Sequence, residues 1–303
     1  MSSGLLTLNI PNITGKIDYH CLMSGRFRTL LHTALALTLL LATTVTHAAS
    51  TIAAPLDLRT LYQAQVDRRL DVPPAEQAYY AGQLTTALAQ AGLGTLPPQY
   101  VVLVDRNPHV QAVFLYWLPA ASAPELIGAS PASTGRHGGF MYYETPTGVF
   151  EHTLANLDFR AEGTENAQGI MGYGIKGMRV YDFGWVPALR TWRAGEGLMR
   201  LQMHATDPRY LELRLGSVQS MGCIRIPATL NILLDRYGVL DADYLADETD
   251  GHALWMLRPD REPTDWPGRY LVIIDSGRDT RPDWSPNPLK KPRAGKARPT
   301  PVR

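Results

Sequence analysis

The chain has 303 residues, a hydrophobic fraction of 45% and a formal net charge of +1. That apolar share supports a packed core, and so small a charge gives no electrostatic footprint for a nucleic-acid partner. Two cysteines, Cys21 and Cys223, exclude a disulfide framework, and no zinc-type Cys/His spacing occurs, so neither metal nor cofactor is called for.

The first organised element is a leader. Arg26 and Arg28 precede an almost uncharged run from Leu30 to Val45, and Thr46-His47-Ala48-Ala49 supplies small residues near a cut. This is the three-part pattern of a secretory signal peptide. The apolar run is shorter than the roughly 20 residues that span hydrocarbon. The expectation is an exported chain with residues 1–49 as leader and signal, translation starting at Met23, and no transmembrane anchor after cleavage.

Residues 50–97 read as a helical N-terminal segment. Leu56, Leu58, Leu61, Val66 and Leu70 form a rough apolar stripe, Pro73-Pro74 interrupts it, and Glu76 to Leu93 resumes it before Gly92 and Gly94. The texture then changes. Segments 100–105, 110–118, 124–134, 148–154, 178–184, 198–205 and 269–275 are strand candidates, rich in β-branched or aromatic residues and separated by glycine and proline. Ala228 to Tyr237 is the one helix among them, with Pro227 at its first position and Gly238 as its stop. The fold class is mainly β, a sandwich or barrel-like core over 98–278. The tail, 279–303, carries six Lys or Arg, five Pro and no acid from Pro286 onward, a composition that predicts disorder.

With Cys21 in the leader, Cys223 is an odd thiol in an oxidising compartment. Such a thiol is buried and inert, pairs with another chain, or is chemically employed. Its setting, QSMGCIRIP (219–227), favours the last. Gly222 lets a substrate approach the backbone, Arg225 adds a fixed positive charge, and the start of the Pro227 helix is expected to favour a thiolate. A nucleophilic cysteine needs a base. His204, closing the strand LMRLQMH, is the best placed, although a strand-end histidine is by itself unremarkable.

The stretch HATDPRYLELRLGSVQSMGCIR (204–225), with 15 residues between His204 and Ser220, resembles the active-site signature of the L,D-transpeptidases. STG (133–135) and ETPTGVF (144–150) resemble that family's Ser-Thr-Gly and Thr-Pro-x-Gly-x-Phe elements in the right order, so the likeness covers about residues 100–240. It implies an L,D-transpeptidase-type β-sandwich with a few helices in the periplasm, acting on peptidoglycan stem peptides that contain diaminopimelate. It also implies that Cys223 is the nucleophile and His204 its base, oriented by the Ala205 carbonyl. Gly222 and Cys223 amides would form the oxyanion hole, and Arg225 would pair with a substrate carboxylate or brace the loop. Ser220 and Met221 are expected beside the substrate, and Tyr142, Tyr143, Met171, Tyr173, Asp182, Trp185 and Trp192 lie in the stretch expected to form the substrate cleft, most of them at core or rim, with Tyr143, Met171, Tyr173 and Trp185 the chosen contacts. The Gly-rich run 168–179 lacks the strand-then-helix setting of a phosphate loop and reads as a mobile loop.

One position departs from the family. Met221 stands where most members have a second histidine, a feature shared with an atypical branch that joins L-Ala of one stem to diaminopimelate of another, and with a branch that hydrolyses lipoprotein links. Transfer, hydrolysis of the same bond, and a non-catalytic wall-binding module are therefore the readings carried forward.

Overall fold

The computed structural model describes residues 54–249 and 254–288. The leader with Cys21, and the tail beyond Pro288, lie outside the described residues. Among those described, four α-helices and nine strands in two sheets follow one another. Helices α1 (Asp57–Gln65) and α2 (Pro74–Gln90) come first, then β1 (Gln99–Asp105), β2 (Ala112–Leu118), β3 (Glu125–Pro131), β4 (Gly148–Glu151) and β5 (Phe159–Arg160). The long hairpin of β6 (Arg179–Leu189) and β7 (Glu196–Ala205) leads to a short β8 (Ile224–Ile226), helices α3 (Ala228–Arg236) and α4 (Ala242–Thr249), and β9 (Tyr270–Ile274). No described helix is long and apolar enough to cross a membrane.

The first sheet runs β3-β2-β1-β9-β4 and the second β5-β6-β7-β8. Every residue of β1 is buried, because the first sheet is covered on both faces. On one side Tyr100, Val102 and Val104 share a core with Tyr181, Leu201, Met203, Ile224 and Ile226 of the second sheet. On the other, Val101 and Leu103 meet Tyr80, Leu84 and Leu88 of α2. Strand alternation places these two sets on opposite faces, which is why QYVVLVD has no polar alternation to read.

The predicted N-terminal segment is part of this core rather than an appendage. Leu58 and Tyr62 of α1 are buried with the inter-sheet residues, and the Tyr62 hydroxyl meets Ser130 Oγ at 2.5 Å. Pro74 opens α2 as its first-turn residue, where a missing N–H costs nothing, instead of breaking a longer helix. The expected disorder of the tail fails for its first ten residues. Trp284 packs edge-on against Tyr80 and Phe114, with ring centroids 5.7 and 5.9 Å away, so one large aromatic anchors a stretch whose composition reads as unfolded. Helix α4 and strands β5 and β8 were not anticipated, being too short for periodicity to register.

A fully buried ionic cluster stands behind the second sheet. Arg179 Nε contacts Asp158 Oδ2 at 2.5 Å, and its Nη1 contacts Asp241 Oδ2 at 2.7 Å. His152 sends Nε2 to Asp158 Oδ1 at 2.8 Å and Nδ1 to the Leu240 carbonyl at 2.7 Å. Both ring nitrogens face acceptors, so the ring is an imidazolium. Burial opposes that charge, and the Asp158 carboxylate overrides it, leaving the His152 pKa raised. Asp158→Asn would leave two buried cations short of an anion, which costs about 3–5 kcal/mol. Urea unfolding of Asp158→Asn against wild type should show that loss, and an unchanged midpoint would mean that the cluster is not ionised.

Candidate active site

Strand alternation and ladder register bring the chemical residues to one face of the second sheet. Leu201 and Met203 point into the core, so Arg200, Gln202 and His204 share the opposite face. β8 runs parallel to β7 with His204 opposite Arg225, and Ile224 and Ile226 point inward. Cys223, two residues before Arg225, therefore lies on the same face as His204, one step along the neighbouring strand. Its Sγ is 3.8 Å from the Arg200 carbonyl oxygen.

The imidazole of His204 is buried and its tautomer is fixed. Nδ1 lies 2.5 Å from the Ala205 carbonyl oxygen, which only accepts, so Nδ1 carries the proton and Nε2 keeps a lone pair. Burial, reinforced by the Arg225 charge, pushes the His204 pKa down to about 3. The ring of Tyr173 stands edge-on to it, centroids 4.6 Å apart.

The cysteine loop is tied by the two short elements upstream. Thr134 O accepts the Gln219 and Ser220 amides at 3.0 Å each, and Ser133 pairs with Arg225 in both directions, at 2.9 and 2.8 Å. Thr145 Oγ1 donates to the Gly222 carbonyl at 2.6 Å and accepts the Gly135 amide at 2.9 Å. Gly222 has φ +137°, and a Cβ there would fall 2.8 Å from both Cε and Sδ of Met199. Only glycine fits that turn.

Several expectations need correction. Ser220 is buried and holds the loop from inside: its Oγ donates to the Cys223 carbonyl at 2.6 Å and accepts the Gly222 amide at 3.0 Å. The Gly222 N–H is thus occupied by Ser220 and is not free as an oxyanion donor. The helix N-terminus expected near the thiol is five residues away at Ala228, with β8 intervening, and its amide is capped by Glu212 Oε1 at 2.6 Å. Burial raises the Cys223 pKa, and neither the Gln202 amide nor the Arg225 charge cancels it, so the resting group is a thiol. Met171 is buried, its amide fixed to Asp207 Oδ2 at 2.9 Å, and presents no side chain to a ligand. Tyr143 is half-buried against the core and T-shaped on Trp192 at 5.0 Å, its amide donating to the Met221 carbonyl.

The remaining predicted residues are open. Tyr173, Met221 and Trp185 are 40%, 48% and 64% exposed. Trp185 pairs with Arg200 in the β6–β7 ladder, which puts it beside the strand under the thiol. Arg225 makes no ion pair among the described residues, its Nε is buried without a hydrogen-bond partner, and the Arg136 and Arg214 charges bear on it. The sequence reading missed Gln202 and Arg200, although the alternation Arg-Leu-Gln-Met-His marked them as sharing the face of His204. It also missed Thr145 as a brace.

The assembly can therefore present a thiol, a neutral imidazole with a free nitrogen, an unpaired guanidinium and apolar surface within one patch. Comparison with known protein families and with curated proteins returned no match.

Proposed function

We propose that the chain is an exported cysteine acyltransferase of the L,D-transpeptidase type, with the β-sandwich of that family. It forms cross-links between peptidoglycan stem peptides in the periplasm. The observation that carries this reading is His204, fixed by the Ala205 carbonyl and sharing a sheet face with Cys223, on a loop braced by Ser133, Thr134 and Thr145. Those braces belong to two of the sequence elements that resemble the family, Ser133-Thr134-Gly135 and the 144–150 stretch, and they act on the third.

Cys223 Sγ attacks the carbonyl of an amide joining an L to a D residue while its proton passes to His204 Nε2. A resting imidazolium–thiolate pair is disfavoured by the burial of both groups, so attack and proton transfer occur together. The Cys223 amide supports the oxyanion. The intermediate collapses to a thioester, and the leaving amine takes the proton back from His204. The side-chain amine of an acceptor diaminopimelate then attacks the thioester, loses its proton to His204, and releases the thiol. Arg225, unpaired and half-buried, is suited to a donor carboxylate.

Digestion of cell wall with purified enzyme, followed by mass spectrometry of the muropeptides, tests the reading. New dimers are expected. Shortened stems without dimers would make the protein a hydrolase of the same bond, and no change at all would leave a wall-binding module.

Met221 decides the finer product. Its thioether is exposed two residues before Cys223, where most L,D-transpeptidases carry an imidazole, and it offers an apolar surface in place of a titratable one. Met221→His should leave acylation intact and lower the ratio of 1,3 cross-links to hydrolysed stems several-fold. Identical muropeptide profiles for wild type and Met221→His would place bond choice elsewhere, at Tyr173 or Trp185.

A further inference from the structure

Asp182 is a fully buried carboxylate in β6 that takes no part in the chemistry above. Its Oδ2 accepts Arg200 Nε at 2.7 Å and Gln202 Nε2 at 2.8 Å, and its Oδ1 accepts the Gly184 amide at 2.9 Å. Its own amide donates to Asp158 Oδ1 at 2.9 Å, which fastens it to the ionic cluster behind the sheet. The ladder shifts register between Asp182 and Trp185, and Gly184 at φ +82° makes the turn that brings its amide back to the carboxylate. Asp182 thus has its place fixed from behind and directs its Oδ2 forward, to the Arg200 and Gln202 side chains of β7, the strand whose Arg200 carbonyl meets Cys223.

What those side chains do is set by donor and acceptor inventory. Because the carboxylate holds the nitrogen end of the Gln202 amide, the oxygen end faces Tyr173, whose hydroxyl donates to it at 3.2 Å. Tyr173 in turn lays its ring edge against His204. The Arg200 carbonyl oxygen is the atom 3.8 Å from Cys223 Sγ, and its side chain is anchored by the same carboxylate. We propose that Asp182 is a positioning residue for acyl transfer, acting through Gln202 on Tyr173 and His204, and through Arg200 on the strand beneath Cys223. It deepens the reading of the site as a cysteine acyltransferase and rests on that reading, but not on peptidoglycan being the acyl donor. Asparagine cannot replace all three contacts, since its amide nitrogen would face either Arg200 and Gln202 together or the Gly184 amide, and it takes away the negative charge that holds Arg200.

The test is a double-mutant cycle of Asp182→Asn, Gln202→Ala and the pair, read from the pre-steady-state burst of p-nitrophenolate when p-nitrophenyl acetate acylates Cys223. In that step the thiol sulfur bonds the acetyl carbon and p-nitrophenolate leaves. Each single variant should slow the burst about 10²-fold, the scale of an ångström of misplacement, with burst amplitude and KM near wild type. If Asp182 acts through Gln202, the double variant should be no slower than Asp182→Asn. Multiplicative losses, or a burst within twofold of wild type for Asp182→Asn, would overturn the proposal. Should Asp182→Asn not fold, Asp182→Ser keeps an acceptor for the Gly184 amide without reaching Gln202, and the same cycle decides. Muropeptide digestion is independent of this assay. Its failure would remove the proposed substrate and leave the positioning result standing.

Discussion

Replacing Cys223 by alanine is expected to abolish cross-linking, a loss of several orders of magnitude in kcat, while leaving the fold and its stability almost untouched. The thiol is largely but not fully buried, is free, and meets a backbone oxygen 3.8 Å away. Removing one sulfur from such a place creates no enclosed cavity, so unfolding should shift by less than about 1 kcal/mol. The loop itself is held by Ser220, Thr134 and Thr145 through hydrogen bonds to its backbone, which do not depend on the sulfur. Circular dichroism and urea unfolding of Cys223→Ala, beside muropeptide analysis, separate the two effects. Retained cross-linking would end the covalent mechanism outright, and a large drop in stability would make Cys223 a packing residue.

The pieces of this site were legible in the chain to different degrees, for physical reasons. Cys223 and His204 stood out because each needs only local context: glycine before the thiol, and a strand end after the histidine. The Ala205 carbonyl was expected only through the resemblance to the L,D-transpeptidases, since no side chain marks a backbone acceptor. Ser220 was misplaced because a hydroxyl beside a nucleophile reads as a ligand contact, whereas here it satisfies a buried amide and a buried carbonyl. The thiolate expectation failed on a three-residue strand, Ile224–Ile226, too short to show a pattern yet long enough to carry the helix start away from the sulfur. The cluster of His152, Asp158, Arg179 and Asp241 was invisible, since its members are far apart in sequence and meet only when the sheet closes. Helices α1 and α2 were read as a segment apart from the 98–278 core because an apolar stripe marks a helix but does not show what covers it, which here is the first sheet.

His204→Ala should cost kcat about 10²–10⁴-fold, the usual worth of a positioned general base. Because nucleophile and base act as a unit, the Cys223→Ala/His204→Ala double variant should be no worse than the worse single one. The same residue carries a second, independent signature. With its folded pKa near 3 and an unfolded value near about 6.5, the native state excludes a proton that the unfolded chain binds. Stability from this group is therefore fully present above the unfolded value and is lost as pH falls from there toward 3, by roughly 4–5 kcal/mol at the limit. His204→Gln keeps much of the side-chain volume and cannot titrate. Its urea midpoint should start below that of wild type at pH 7 and converge on it, or pass it, by pH 4. His152 titrates with the opposite sign, its raised pKa adding stability at low pH, but it is present in both proteins and cancels in the difference. Parallel midpoints for wild type and His204→Gln between pH 7 and 4 would mean that His204 protonates in the native state as readily as in the unfolded one. The base would then be an imidazolium through much of that range, and acylation would have to begin from the thiolate.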